Sequence, residues 1–383
     1  MLNRAALSGA LSAHARLLSL GLFVLTGACG ASSVATTQTQ NADGTMSEAS
    51  LETDTPAMAG DVPEKLELPA GHRSRISYIA YNLDNTLHLG TSDGQIASLA
   101  VLSRKAEVDK PAAGFEVITM SPDGHYLVIR TTPGRVVDRK GVLALNMNSV
   151  PVIESASFAP DVFSLYVTEA GGKLRIWGQA EAFVKQGDDE NLASYLNRQG
   201  SDFNVEFDPL SGPMAALPQG ALIMATADGV ISFWSSSAPG RTRQVMKLDG
   251  AIKALSASGN DIVAVSRAGQ LKVGKLEPAT YQAWSKNARA DWAATNEHLR
   301  GEFVEISSNT LKLRSTETGD IQWEKPLPVG PTCGLSVSPD GRMGAACVDG
   351  VVFMFYVKDG TWDSQAWFGD TFKWKDARGP EIK

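Results

Sequence analysis

The chain has 383 residues, a formal net charge of −7 and a hydrophobic content of 43%. This acidic balance, with no stripe of Lys and Arg interleaved with aromatic residues, disfavours nucleic acid and anionic lipid surfaces as partners. Without the arginines of the predicted leader, Arg4 and Arg16, the net charge changes from −7 to −9.

The first 28 residues have the pattern of a signal peptide. Arg4 and Arg16 precede an apolar run, Leu17 to Ala28, which is too short for a permanent bilayer span. The sequence Leu25-Thr26-Gly27-Ala28-Cys29 resembles a bacterial lipoprotein box. The resemblance implies acylation of Cys29, and Gly30 resembles the pattern for export to the outer membrane, facing the periplasm. Ordinary signal cleavage, which would give a soluble periplasmic protein, and display on the cell surface are the alternatives.

Residues 29–63 are predicted to be the lipidated N-terminus followed by a flexible tether. They are rich in Thr, Ser, Ala, Gln and Asp and contain almost no large apolar residue. Such a composition cannot bury a hydrophobic core.

A tight turn followed by one free position and an aliphatic residue recurs seven times in the rest of the chain. Successive turns are 40, 38, 57, 40, 40 and 41 residues apart, the period of a four-stranded propeller blade. A two-residue hairpin loop requires positive φ, which favours Gly or Asn. The turn residues are Gly94, Gly134, Gly172, Gly229, Gly269, Asn309 and Gly350.

A second turn signal precedes most of these positions, most clearly Ser121 to Gly124 and Ser338 to Gly341, both with the sequence Ser-Pro-Asp-Gly. Two hairpins per repeat give three strands, and the segment leading to the next repeat gives the fourth. The sequence therefore predicts an all-β, seven-bladed β-propeller of four-stranded antiparallel blades over residues 64–375, with a short C-terminal tail at 376–383.

The repeats resemble the WD40 propeller family. The resemblance rests on Gly71-His72, on Ser92-Asp93-Gly94, on Ala227-Asp228-Gly229 followed by Trp234, on Leu174 to Trp177, and on Val348-Asp349-Gly350. It implies that His72, the turn residues Asp93, Asp228 and Asp349, and the two tryptophans stabilise their blades by hydrogen bonding. One repeat, which contains Thr318 to Trp323, instead resembles the quinoprotein-type propeller repeat.

The long interval between Gly172 and Gly229 predicts an insertion in one of two stretches. In residues 187–200, Asp188 or Asp189 could cap a short helix with Leu192, Tyr195 and Leu196 on one face, a candidate partner surface. The other stretch, 209–220, reads as a loop of Pro, Gly and Ala. The alternative is a tolerated insertion that packs on the blade rim.

Cys333 and Cys347 flank the Ser338 to Gly341 turn. A three-residue loop with Ser338 opposite Arg342 would place the two cysteines opposite each other in a non-hydrogen-bonded pair, close enough for a disulfide. The alternative is two buried thiols.

Either terminus could supply the fourth strand of the last blade. The candidates are Leu66 to Leu68 and the aromatic stretch Trp362 to Trp374. The WD40 resemblance favours the N-terminal strand, which would leave the aromatic stretch to pack underneath the blade or to contact a partner.

The sequence contains no phosphate loop or paired-Cys motif, and its histidines lack metal-ligand spacing. Asp93, Asp228 and Asp349 could ring a channel and hold a cation, but bonds to backbone amides of their own turns are expected instead. We therefore expect no cofactor and a non-catalytic, membrane-anchored scaffold for an envelope protein or protein complex. The alternatives are a propeller hydrolase, a quinone-cofactor dehydrogenase, a glycan or small-ligand binder using Trp177 and Trp234, and a subunit resembling the propeller lipoprotein of the barrel-assembly machinery.

Overall fold

A computed structural model describes residues 75–376 except 112–113, 148–149, 151, 160–163, 170–172, 178–200, 207–209, 239–240 and 369–371. All described residues belong to one compact unit, Met58–Lys383. The predictions for Cys29, His72, Gly172, Leu192, Tyr195 and Leu196 lie outside the described residues.

Seven antiparallel sheets form the blades, and the innermost strands contact one another around a closed ring. The predicted seven-bladed β-propeller is therefore confirmed. Blade 1 contains β1 (Ile76–Tyr81), β2 (Leu87–Thr91), β3 (Ile96–Ala100) and β4 (Lys105–Asp109). Blade 2 contains β5 (Val117–Met120), β6 (Tyr126–Ile129), β7 (Gly134–Asp138) and β8 (Leu143–Met147). Blade 3 contains β9 (Ile153–Phe158), β10 (Leu165–Glu169), β11 (Lys173–Trp177) and β12 (Ser201–Glu206).

The remaining blades continue the same order around the ring. Blade 4 contains β13 (Leu210–Leu217), β14 (Ala221–Thr226), β15 (Val230–Ser235) and β16 (Thr242–Lys247). Blade 5 contains β17 (Ile252–Ser258), β18 (Asp261–Ser266), β19 (Leu271–Lys275) and β20 (Thr280–Tyr281). Blade 6 contains β21 (Trp292–Ala294), β22 (Glu302–Ser307), β23 (Thr310–Ser315) and β24 (Ile321–Pro326). Blade 7 contains β25 (Thr332–Val337), β26 (Met343–Val348), β27 (Val351–Tyr356), β28 (Trp362–Phe368) and β29 (Phe372–Asp376). The helices of the described chain are three short 3₁₀ turns, Pro218–Gly220, Ala283–Asn287 and Glu297–Leu299.

The core lies between adjacent blades, not within any one of them. Every residue of β2 and β26 is buried, whereas β4, an outer strand, is mostly exposed. The apolar clusters join neighbouring blades, and one of them unites strands of blades 1 and 7. A single blade would leave both apolar faces in water, so the blades stabilise one another as a ring.

The turns between second and third strands are of two kinds. Positive φ occurs as predicted at Gly94, Gly229, Gly269, Asn309 and Gly350. The predicted two-residue loops occur in blades 6 and 7, but blades 1, 4 and 5 have three-residue loops. In these three blades the strand ends in Thr or Ser, whose hydroxyl accepts a hydrogen bond from the backbone N–H four residues on, which supports the longer loop.

The prediction of a positive-φ turn residue at Gly134 is wrong. Gly134 opens β7, directly after a cis Thr132–Pro133 peptide bond, and it is not among the residues with positive φ. A Cβ atom at this position would lie 2.5 Å from Cδ1 of Ile153 in the next blade. The absence of a side chain at Gly134 therefore leaves room for Ile153 in the packing between blades.

The predicted loop at 209–220 is also wrong, because most of it is β13, the innermost strand of blade 4, followed by a 3₁₀ turn. A Cβ atom on Gly212 would lie 2.7 Å from the Cβ of Ala225 on β14. Small residues therefore allow two strands to approach closely and do not mark a loop. The connection between β11 and β12 spans residues 178–200, the other candidate for the insertion.

Blade 7 takes its fourth strand from the C-terminus, contrary to the expectation from the WD40 resemblance. β28 pairs with β27, and β29 adds a fifth strand outside it. The side chains of Ala366, Trp367 and Phe368 are buried, so β28 belongs to the blade core. Leu66 to Leu68 lie outside the described residues.

Cys333 and Cys347 form a disulfide with their Cα atoms 5.0 Å apart. The predicted register is wrong, because Ser338 lies opposite Met343 across a four-residue loop. A β-bulge at Cys333 then places Gly334 opposite Cys347 and restores the predicted alignment beyond it. The loop has one residue more than predicted, and the bulge shifts the register back by one residue. These two features together bring the cysteines close to each other.

Candidate functional site

The ring has two faces that differ in their loops. The upper face carries the turns between second and third strands and the connections between blades, and the lower face carries the other hairpin turns. β11 ends and β12 begins at the lower face, and the candidate partner surface lies in the chain between them, outside the described residues.

A cavity of about 600 Å³ opens on the upper face across blades 5, 6 and 7. Its walls are the turns around Gly269 and Asn309, the connection Arg289 to Asp291, and the connection Gly330 to Thr332. Lys253, near the start of β17, contributes a cationic side chain. A second cavity of about 240 Å³ lies among the innermost strands of blades 4 to 7 and also borders Lys253.

The side chain of Lys253 is held at the junction of these two cavities. Its Nζ lies 5.5 Å from the centre of the Trp292 ring, within cation–π range. Partial burial lowers the pKa of Lys253, and the charge of Asp291 opposes that shift. Lys253 therefore presents a positioned, partly desolvated cation to the cavities.

Some other cations of the upper face are paired with carboxylates, whereas the exposed Arg75 and Arg267 form no ion pair among the described residues. Arg130 donates to Glu116 at 2.8 Å, and Arg175 lies 3.4 Å from Glu169 in a buried pair. Within the described chain, Lys253 and the exposed Arg289 form no such ion pair. The cavity thus has two cations available to an external anion, with Asp291 as the carboxylate in its lining.

The turn aspartates interact with side chains of their own turns. Asp93 accepts hydrogen bonds from the Thr91 hydroxyl and from Nε2 of Gln95, and Asp228 accepts one from the Thr226 hydroxyl. The Thr226 bond is the main cause that lowers the pKa of Asp228. Asp349 occupies a left-handed turn position at φ 50°. The described residues contain no group of three or more His, Cys, Asp or Glu placed to hold a metal ion.

Four tryptophans pack within or between blades. Trp177 and Trp234 are buried, and Trp234 contacts Tyr166 edge to face. Trp323 donates a hydrogen bond to the backbone oxygen of Val357 at 2.8 Å, which joins blade 6 to blade 7. Sequence analysis missed Trp284, which joins blade 5 to blade 6 in the same way, through the oxygen of Thr316 at 3.2 Å.

His88 was not identified from the sequence. It is buried in β2, and its Nδ1 lies 2.8 Å from the Ser98 hydroxyl on the adjacent strand. Its Nε2 has no hydrogen-bond partner in the structure. Because both side chains are buried between blades 1 and 2, this pair has the surroundings of a core contact and not of a reactive site.

No helix within the described ranges is both long enough and apolar enough to cross a membrane.

No protein-family model and no curated protein matches this chain. Solved structures do match its fold. The structure of U3-55K has a TM-score of 0.57 at 16% identity and covers 76% of this chain and 93% of its own. The RRP9 WD40 repeats give a TM-score of 0.56 at 16% identity, over 75% of this chain and 91% of that one. The designed protein Ika8 gives 0.56 at 13% identity, over 81% of this chain and 98% of its own. At these identities the similarity shows the fold alone, a seven-bladed β-propeller like that of WD40 repeat proteins.

Proposed function

We propose that this chain is a non-catalytic protein-interaction scaffold, attached to the outer membrane by acyl chains on Cys29 and facing the periplasm. The observation that carries the proposal is the open upper-face cavity, whose wall is assembled from the loops of three blades. A closed ring of mutually buried blades holds these loops rigidly, which lowers the entropic cost of binding a partner.

The lipid anchor is tested by metabolic labelling. Cells that produce the full chain are grown with an alkyne-labelled fatty acid, and Cys29→Ser serves as the control. Label on the wild type and none on Cys29→Ser is the expected result. Equal labelling of both, or no labelling of either, would refute the lipid anchor.

The scaffold is tested by crosslinking intact cells, followed by mass spectrometry of what is captured. We expect reproducible crosslinks from upper-face residues, such as Ser308, to one envelope protein. Crosslinks only from the 178–200 connection would move the docking face to the predicted surface of Leu192, Tyr195 and Leu196. Capture of no specific protein would contradict the scaffold proposal.

A second candidate is a subunit like the propeller lipoprotein of the outer-membrane barrel-assembly machinery. Its support is the pair of interblade tryptophans, Trp284 and Trp323, since the Trp323 repeat resembles the quinoprotein-type propeller. The same crosslinking experiment separates the two, because this candidate requires capture of a barrel-assembly component.

A further inference from the structure

We propose that the upper-face cavity binds an acidic segment of the partner protein, with a carboxylate seated between Lys253 and Arg289. This inference rests on the proposed scaffold function and assigns the chemistry of its docking site.

The first argument is charge. The whole protein carries a net charge of −7, yet this cavity is lined by two cations and one carboxylate, Asp291. Neither Lys253 nor Arg289 has an ion-pair partner among the described residues, and both line the cavity. On the same face, Arg130, Arg175 and Lys247 each face a carboxylate, and the unpaired Arg75 and Arg267 do not line the cavity. Binding an anion here would give both cations the partner that the fold does not supply.

The second argument is the state of Lys253. Its stem is partly buried and its ammonium lies over Trp292, so its position is largely fixed before binding. A positioned and partly desolvated cation forms a stronger ion pair than a freely mobile surface lysine. A bound carboxylate would also offset the desolvation cost that burial imposes on the charged form of Lys253.

The third argument is the shape and rim of the cavity. A volume of about 600 Å³ accommodates a few side chains and not a folded domain. Val329, which is 80% exposed, and the exposed Pro331 lie beside the opening and offer apolar contacts. A short acidic stretch with a neighbouring apolar side chain fits this combination. A nucleic acid fits less well, because phosphate backbones are bound by extended basic stripes.

The test measures binding of a fluorescein-labelled ten-glutamate peptide to the purified full-length lipoprotein by fluorescence anisotropy. The test variant is Lys253→Gln/Arg289→Gln. The control, Arg241→Gln/Lys358→Gln, makes the same charge change at exposed positions of the lower face. We expect the affinity to fall at least about tenfold in the test variant only, and to fall with added salt. A cooperative thermal unfolding transition like that of the wild type would show that both variants fold, and Arg289→Glu alone provides a second change at an exposed position.

Absence of peptide binding, or equal losses in the test and control variants, overturns the proposal. Equally tight binding of a labelled ten-nucleotide RNA that depends on Lys253 and Arg289 would also overturn it in favour of nucleic acid. The crosslinking experiment separates this inference from the scaffold function. Unchanged capture by the double variant refutes the acidic-segment site but leaves the scaffold, whereas no capture by the wild type refutes the scaffold itself.

Discussion

Arg104 and Asp363 form a bidentate ion pair that joins the first blade to the last. Nη1 of Arg104 donates to Oδ2 of Asp363 at 2.6 Å, and Nη2 donates to Oδ1 at 2.8 Å. The Asp363 side chain is fully buried, and the Arg104 side chain is 36% exposed. Arg104 also lies over the ring of Trp374 on β29, and Tyr356 donates to Asp363 at 3.1 Å. Side-chain contacts thus connect the first blade to both C-terminal strands, β28 and β29.

Replacement of Arg104 by Met should destabilise the protein by about 2 kcal/mol, because it leaves a buried carboxylate without its cation. The figure is below that for a fully buried pair because Arg104 is partly exposed. Burial raises the pKa of Asp363, but the hydrogen bonds from Arg104, Ser364 and Tyr356, together with the charge of Arg104, leave the pKa below its usual value. The ion pair therefore stabilises the fold above the ordinary Asp pKa and is lost as pH falls through the lower folded-state value.

Urea denaturation of Arg104→Met and of a control, Arg243→Met, measures this effect. Arg243 faces the exposed Glu277 at 3.5 Å, so its loss should cost much less. Equal midpoints for the wild type and Arg104→Met would contradict a role for this pair in ring closure.

Acidification should destabilise the fold through His88. Burial, reinforced by the charge of Arg139, lowers the pKa of His88 from 6.5 to about 4. As pH falls from 6.5 towards 4, the unfolded chain takes up a proton that the folded chain does not. The free energy of unfolding should therefore decrease by about 3 kcal/mol over this range on account of His88.

Unfolding measured as a function of pH in His88→Gln should show a shallower decrease between these values than the wild type. His298→Gln makes the same substitution at a half-exposed side chain that does not act on His88, and serves as the control. An unchanged slope in His88→Gln would show that His88 is not the group responsible.

The interblade contact of Trp284 depends on Gly319. A Cβ atom on Gly319 would lie 2.5 Å from the Trp284 ring, and this ring cannot easily move because it packs against Phe303 and lies under Arg314. Gly319→Ala should therefore cost about 3 kcal/mol, from backbone strain plus overpacking. Gly250 is the matched control: its φ of 78° is close to the 79° of Gly319, but no atom lies within 4 Å of the added Cβ. Gly250→Ala should cost only about 1 kcal/mol, and equal losses in thermal unfolding would contradict the steric explanation.

The disulfide should contribute about 3 kcal/mol, because it closes a loop with a sequence separation of 14 residues. Cys333→Ala/Cys347→Ala should lower stability by this amount, as measured by urea denaturation. Mass spectrometry after alkylation should find neither cysteine modified in the unreduced protein and both modified after reduction and unfolding. Two modified cysteines without reductant would mean that the bridge is absent.

The sequence by itself determined the number of blades and the four-stranded plan that the first six blades follow. Turn chemistry is local: Gly94, Gly229 and Gly350 are recognisable because positive φ is a property of the residue and its neighbours in the chain. The period of about 40 residues then follows from the size of a four-stranded unit.

Only the tertiary structure decided which glycines were needed for packing, which strand completes the last blade, and where the cavity lies. Positions 134 and 212 are occupied by glycine because a neighbouring side chain lies close to each backbone. Ile153 of the next blade lies close to Gly134, and Ala225 of the adjacent strand lies close to Gly212. The bulge at Cys333 and the pairing of β28 depend on contacts that no local pattern encodes. Lys253, Arg289 and Asn309 come from three separate segments and meet only when the ring closes, because burial between blades, and not local propensity, sets their positions.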